Sequence, residues 1–354
     1  MKTLSVRKPV KNIFRVDGNQ TIGMGHIVRC LALADELKNS KLDSEILFLS
    51  KYEEGRRVIE EKGYETILTR DDEASQIRTL ADKETLLITD FLDTDSAYIS
   101  QIKGTPNIKV LSIDNNTRLK RIDADILINA SVFDEGEVKV IGLTKYYLGP
   151  KYVILRKEFG LARKERKEIK DNVGTILVMS GGADFAGESL ILNSIKALEK
   201  INEGVGIHLI IGPAFPYANE LNELLSKTTK HFDVSFNPPN LIEVMKNADM
   251  AITAAGITLY ELAALGIPSI AIPQVTPETS HQQDIANAFE KYGACVNLGK
   301  FPSNELIYEK TMSLMEDKSL RKQLSDNGKA LVDGNGLKRV LGIIFGVVKQ
   351  QNEA

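Results

Sequence analysis

The stretch "ADMAITAAGITLYELAALGIPSIAIP", Ala248–Pro273, decides the fold. Its apolar opening reads as a buried strand, Gly256 relieves a turn, a helix opens at Thr258, and "PSIAIP" reads as a second strand. Strand, helix and strand in so short a span make a parallel crossover unit. The same alternation runs along the chain. In the first half "IFRVD", "EILFLS", "YETILT", "TLLITD", "KVLSID" and "DILINA" read as strands, with "HIVRCLALADELKN" and "EGRRVIEEKG" as helices between them. In the second half "VGTILVMS", "GIHLIIG" and "FDVSFN" lead into the quoted unit. The expectation is an α/β protein with two consecutive Rossmann-like domains.

The length of 354 residues also exceeds one ordinary core. Between the two series lies "RKEFGLARKERKEIKDN", Arg156–Asn172, dense in charge and without a buried-strand pattern. It sets the expected division: residues 1–155, a charged linker 156–172, and residues 173–354. The other reading of that segment is a solvated helix within one domain. Two such domains leave an interdomain cleft, and ligands of these sheets bind outside the carboxyl ends of the strands.

Composition narrows the function. With 43% hydrophobic and 26% charged residues and a net charge of −3, the chain reads as globular, with no electrostatic reason to bind nucleic acid. It holds no apolar run long enough to span a bilayer, and "MKTLSVRKPVKNIF" has no apolar signal core, so a cytoplasmic protein without membrane insertion is expected. Cys30 and Cys295 have neither CxxC nor zinc spacing and read as small buried apolar residues. His208 and His231 lack partners at metal-ligand spacing, so no metal site is expected. A third fingerprint glycine, a Gly-Lys-Ser/Thr loop and a Gly-x-Ser-x-Gly elbow are all missing, which argues against NAD, ATP and serine-hydrolase chemistry. No cofactor is expected.

Three first-domain strands end in aspartate, at Asp17, Asp90 and Asp114. Each alone suits a turn or cap, whereas together they suit a polar cleft. After the first strand comes "DGNQTIGMGHIVRC", Asp17–Cys30, in which Gly23 and Gly25 precede His26 and Arg29 on one face of a starting helix. The positive end of a helix disfavours cations, so both side chains need an explanation. A helix start favours a neutral imidazole, the state required of a general base. The alternatives are a capping or packing histidine, and an Arg29 that pairs with an aspartate such as Asp17 instead of an anionic ligand.

In the second half "VMSGGADFAGES" places Gly181 and Gly182 before a helix, as donors to a ligand or as a tight turn capped by Asp184. At the quoted unit Gly256 lets a diphosphate approach the helix start. Thr258 and Glu261 fit a capping box, and Glu261 could instead accept from ribose hydroxyls. In "TSHQQDIANAFEKYGA", Ser280 and Gln283 form a second capping-box pattern, while His281 and Gln282 face either the cleft or water.

Taken in order, "RVDGNQTIGMGHIVRCLALA", "LSIDN", "LGPKYVILRKEF", "VMSGGAD" and "NLIEVMKNADMAITAAGITLYELAALGIPSIAIP" resemble the UDP-2,4-diacetamido-2,4,6-trideoxy-β-L-altropyranose hydrolases of pseudaminic acid synthesis and the related spore-coat polysaccharide proteins. That group is similar to the two-domain GT-B glycosyltransferases. The resemblance implies UDP binding by the second domain through Gly256, Thr258 and Glu261, with Gln282 and Gln283, and sugar binding by the first. It makes His26 the group that positions or deprotonates the water attacking the anomeric carbon, with inversion. Asp17, Gly23, Gly25, Arg29, Asp114, Gly181 and Gly182 complete the expected substrate-binding set. The C-terminal helix, Leu337–Gln350, is expected to cross back onto the first domain. A GT-B transferase and a non-catalytic UDP-sugar-binding protein are the rival expectations. The implied partner is a small-molecule UDP-sugar, and the sequence does not set the oligomeric state.

Overall fold

The computed structural model describes residues 10–353 apart from 41–43, 93, 115–121, 132–142, 166–167, 183, 185–188 and 277–280, with backbone alone for 348–353. The chain divides into two compact units. One comprises Met1–Asn19, Met24–Arg156 and Asn335–Ala354, and the other Gln20–Gly23 and Lys157–Gly334.

The first unit carries β1 (Val10–Val16), β2 (Ser44–Ser50), β3 (Thr66–Leu68), β4 (Thr85–Asp90), β5 (Ile108–Asp114), β6 (Ile126–Asn129) and β7 (Lys145–Leu148). They form one parallel sheet in the order β3-β2-β1-β4-β5-β6-β7. Both faces are covered, which is why these strands read as nearly continuous apolar runs. Phe14 stacks on Phe48 with ring centroids 4.8 Å apart on one face, and Ile13, Leu47, Leu87 and Val110 fill the other. Strand order reverses between β1 and β4, the position at which such a sheet opens a crevice at its carboxyl edge.

The second unit carries β8 (Thr175–Met179), β9 (Gly206–Ile211), β10 (Asp233–Phe236), β11 (Met250–Thr253), β12 (Ser269–Ala271) and β13 (Val296–Asn297). Its sheet is also parallel, in the order β10-β9-β8-β11-β12-β13, with the reversal between β8 and β11. β7 and β13 were not expected from the sequence. The first is a half-exposed edge strand of "KYYL" and the second has two residues, so neither offers a long apolar run.

The segment expected as a linker belongs to the second unit from Lys157 onward. Its helix Lys157–Ala162 buries Phe159 completely, and Arg163 donates to the carbonyls of Lys329 and Val332 at 2.9 Å each. Charge density marked the exposed side of this segment, while two apolar side chains set its packing. The final helix, Gly336–Glu353, belongs with the first unit. Its Leu337, Val340, Leu341 and Ile344 follow helical spacing and join the core that contains Phe14. Glycine is required where it starts, because a Cβ on Gly336 would lie 2.0 Å from the carbonyl oxygen of Val153.

Candidate functional site

β1 leads through a loop into the helix Gly25–Lys38, whose first turn holds no acidic residue and whose N-cap, Met24, offers no capping side chain. Gly23, with φ of +78°, takes the left-handed turn that aims this helix. The negative charge missing from the helix start comes from β4. Val16 of β1 is in register with Asp90 of β4, so the Asp90 carboxylate stands beside the first helical turn.

Asp90 is fully buried, and four donors surround it. His26 Nδ1 lies 2.7 Å from Oδ1, Arg29 donates to Oδ1 through Nη2 and to Oδ2 through Nε, and the Cys30 thiol donates to Oδ2 at 3.4 Å. Burial alone would raise the Asp90 carboxyl, but the Arg29 and then the His26 side chains outweigh it and hold it well below the usual carboxylate range. Burial, reinforced by the Asp90 charge, keeps Cys30 a thiol. An ionised carboxylate only accepts, so Nδ1 presents its proton to Asp90, and in the neutral imidazole that tautomer puts the lone pair on Nε2. Nε2 has no hydrogen-bond partner among the described residues. This is the arrangement that suits a histidine to take a proton from a substrate or water.

The partner of Arg29 is therefore Asp90, not Asp17. Asp17 is engaged by Arg15 Nη1 at 2.6 Å and by the main-chain N–H of Lys51 at 2.8 Å. Arg15 also donates to Glu73 at 2.7 Å. Burial works against the Arg15 charge, yet the Asp17 and Glu73 carboxylates overcome it and raise its affinity for its proton. Asp114, at the end of β5, accepts from Asn129 Nδ2 of neighbouring β6 at 3.2 Å and adds to the negative field at Arg29. Gly25 begins the helix with ordinary backbone angles, and a Cβ there would meet nothing within 4 Å. No protein contact requires glycine at that position.

In the second unit Gly181 follows β8 with φ of +90°, and its α-carbon faces Thr258, since a Cβ there would lie 3.2 Å from Thr258 Oγ1. Gly212, which the sequence reading passed over, packs directly against this turn: its Cβ would lie 2.2 Å from the Gly181 carbonyl oxygen. Gly182 accepts the main-chain N–H of Ala214 at 3.0 Å. Asp184 accepts from the main-chain N–H groups of Leu190 and Ile191, at 3.0 and 3.1 Å, at the start of the helix Leu190–Leu198.

The helix after β11 is Ile257–Leu265, and its N-cap is Gly256, without a side-chain cap. The capping box expected of Thr258 and Glu261 is therefore not formed, because the helix starts before Thr258 and the box is out of register with it. Both residues are buried in the first two turns. Gly256, with φ of −94°, has space around it: the nearest atom to a Cβ would be Gln282 Nε2 at 3.9 Å. Gln282 is buried at the start of the helix His281–Lys291, with Oε1 accepting the Gln274 main-chain N–H at 3.0 Å. Gln283 points elsewhere, donating to Asn287 at 2.9 Å on the exposed face, so the paired glutamines are not equivalent. Ser280 lies outside the described residues. Phe236, 63% exposed, ends β10 at the same carboxyl edge of the sheet.

Both candidate clusters stand where strand order reverses, at β1/β4 and at β8/β11. Of the other histidines, His208 of β9 meets Ser235 of β10 at 2.8 Å, and His231 lies on the surface beside Asp233. Cys295 is buried without a disulfide, as is Cys30. Among the described residues no helix is long and apolar enough to cross a membrane.

Comparison with solved structures places this architecture. MurG of Acinetobacter baumannii superposes with a TM-score of 0.66 over 96% of this chain and 100% of that one, at 15% sequence identity. The fold is GT-B. Residues 175–334 of this GT-B chain match the glycosyltransferase family 28 C-terminal domain, a span that contains Gly181, Gly256, Glu261 and Gln282. The spore coat polysaccharide biosynthesis protein SpsG of Bacillus subtilis is a homologue, 29% identical across 95% of this chain and 98% of its own. An uncharacterised protein of Methanocaldococcus jannaschii is 32% identical over 73% of this chain, which spans about half, 54%, of that protein.

Proposed function

We propose that the protein hydrolyses a UDP-linked sugar, with His26 as general base. The observation that carries this reading is the His26–Asp90 pair, which leaves Nε2 able to accept a proton. In the reaction Nε2 takes a proton from water as the water oxygen bonds to the anomeric carbon. The bond from that carbon to the glycosidic oxygen breaks, and UDP departs with the oxygen while the configuration inverts. Positive charge gathers on the imidazole, where the Asp90 carboxylate stabilises it. Charge on the departing diphosphate is met by the free N–H groups at the start of the Ile257–Leu265 helix, electrostatic stabilisation that requires no reorganisation.

Open space at Gly25 and Gly256 supports close approach of ligand to both helix starts, since nothing in the protein itself needs glycine there. Glu261, buried in the second turn of the helix that follows Gly256, is suited in charge and place to accept from the ribose hydroxyls. The exposed ring of Phe236 offers a stacking surface to a planar base. The resemblance in sequence supports a UDP-linked 2,4-diacetamido-2,4,6-trideoxyhexose of the altrose type as substrate, in the synthesis of a pseudaminic-type acid.

The glycosyltransferase family match favours a second reading, in which the same base activates an acceptor hydroxyl instead of water. The two are separated by mixing the purified protein with the UDP-altrose derivative alone and following UDP and free sugar by NMR. Hydrolysis predicts stoichiometric release of both without an acceptor. Release only after an acceptor is added means transfer, and binding without either reaction means a carrier.

A further inference from the structure

Gln282 is one link in a chain of hydrogen bonds joining three loops at the carboxyl edge of the second sheet. Its Oε1 accepts the main-chain N–H of Gln274, which lies just beyond β12. The Gln274 side chain reaches in turn through Nε2 to Oδ1 of Asp184, just beyond β8. All three residues are buried. Asp184 is itself held from other directions, by the Ser189 hydroxyl at 2.5 Å and by the main-chain N–H groups of Leu190 and Ile191. The carboxylate therefore anchors one helix start and, through Gln274, a second loop.

A carboxamide has an acceptor end and a donor end. With the acceptor end of Gln282 committed to Gln274, its Nε2 turns the other way, to 3.9 Å from the point where a Gly256 Cβ would stand. That point lies over the N-cap of the Ile257–Leu265 helix, whose Ile257 and Thr258 main-chain N–H groups have no intrahelical acceptor, while Leu259 N–H donates to the Gly256 carbonyl at 3.1 Å. Side-chain and main-chain donors thus face one small region.

We propose that Gln274 and Asp184 are positioning residues of the nucleotide-sugar site, which fix the Gln282 amide so that its N–H₂ and the helix N–H groups bind the same distal phosphate. This assignment rests on the UDP-sugar reading above. Gln274 touches no ligand. It prevents the Gln282 amide from rotating or flipping and so removes an entropy cost from binding. The contribution is restricted to ligands that possess a second phosphate.

Calorimetric titration of the full-length protein with UMP, UDP and UDP-N-acetylglucosamine tests it, using wild type, Gln274→Ala, Gln282→Ala and the double variant. Each single substitution is expected to weaken UDP and UDP-N-acetylglucosamine about tenfold, the effect of one hydrogen bond to a charged group, and to leave UMP unchanged. The double variant is expected to bind no more weakly than Gln282→Ala, because the two side chains act through one contact. Equal losses for all three ligands, unchanged binding, or additive losses in the double variant would each overturn the assignment. Gln274→Met preserves volume and replaces Gln274→Ala if thermal melting shows that the smaller side chain unfolds the protein. Failure of wild type to bind any of the three ligands would instead remove the UDP-sugar reading, and the assignment with it.

Discussion

His26 and Asp90 meet where the strand order of the first sheet reverses, Nδ1 to Oδ1 at 2.7 Å, with Arg29 on the same carboxylate. The helix start that looked unsuited to two cationic residues carries a buried anion supplied by the neighbouring strand. Arg29 holds that anion ionised, and the anion fixes the tautomer of the histidine.

Replacement of His26 by asparagine is expected to lower turnover by about 10²–10⁴-fold, the usual share of a general base, with UDP affinity unchanged. Single-turnover assays beside a UDP titration check both parts. Full turnover in His26→Asn would remove the imidazole from the chemistry.

Asp90→Asn is expected to lower turnover as well, because a neutral amide neither fixes the Nδ1–H tautomer nor stabilises an imidazolium. It also leaves the largely buried Arg29 guanidinium without its charge partner, at a cost of about 3 kcal/mol. Urea unfolding measures this cost. A variant as stable as wild type would show that Arg29 finds another anion.

The pH dependence of that cost has a definite sign. Asp90 holds its proton less tightly folded than unfolded, so the unfolded chain binds more protons and stability rises with pH through this range. The contribution is complete above the unfolded carboxyl value of about 3.9 and is lost progressively as pH falls below it. The stability gap between wild type and Asp90→Asn should therefore narrow by about 1 kcal/mol between pH 6 and pH 3. A constant gap in urea melts would contradict the assignment of an ionised Asp90.

Gly256→Ala tests the open space over the second-unit helix. The backbone angles suit alanine and no atom obstructs a Cβ, so stability should change by less than about 0.5 kcal/mol. UDP affinity should nevertheless fall at least about tenfold, because the methyl group occupies the room left for the diphosphate. Calorimetry and thermal melting read the two effects separately, and unchanged affinity would place the diphosphate elsewhere.

Ile344, on the final helix, is completely buried in the first-unit core. Ile344→Ala is expected to cost about 2–5 kcal/mol. Limited proteolysis should then cut first-unit segments sooner while UDP affinity of the second unit is retained. Unchanged stability would mean that the helix adds little to that core.

Much of this was legible from the chain alone. All eleven strands expected from the two apolar series form, as β1–β6 and β8–β12, most of them as runs buried on both faces. The half-exposed "KYYL" of β7 and the two-residue β13 escaped because neither offers an apolar run, whereas the edge strands β3 and β10 were recognised from theirs. Gly181 faces Thr258 and Gly256 faces Gln282, whereas Gln283, adjacent to Gln282, turns to Asn287 because successive helical residues point about 100° apart. Asp90 was visible only as one of three strand-end aspartates. Nothing in the sequence singled it out from Asp17, which Arg15 and Lys51 occupy.

By itself, then, the sequence determined the alternation that builds two parallel sheets and the helix starts at their carboxyl edges, since periodicity and glycine placement are local properties. Tertiary structure alone decided which charges pair. Asp90 stands 64 residues from His26 in the chain and reaches it because β4 lies beside β1 in the sheet. Gln274 meets Asp184 in the same manner, across 90 residues, because the loops beyond β8 and β12 share one edge. Sheet order, which no local pattern encodes, brought these buried partners together.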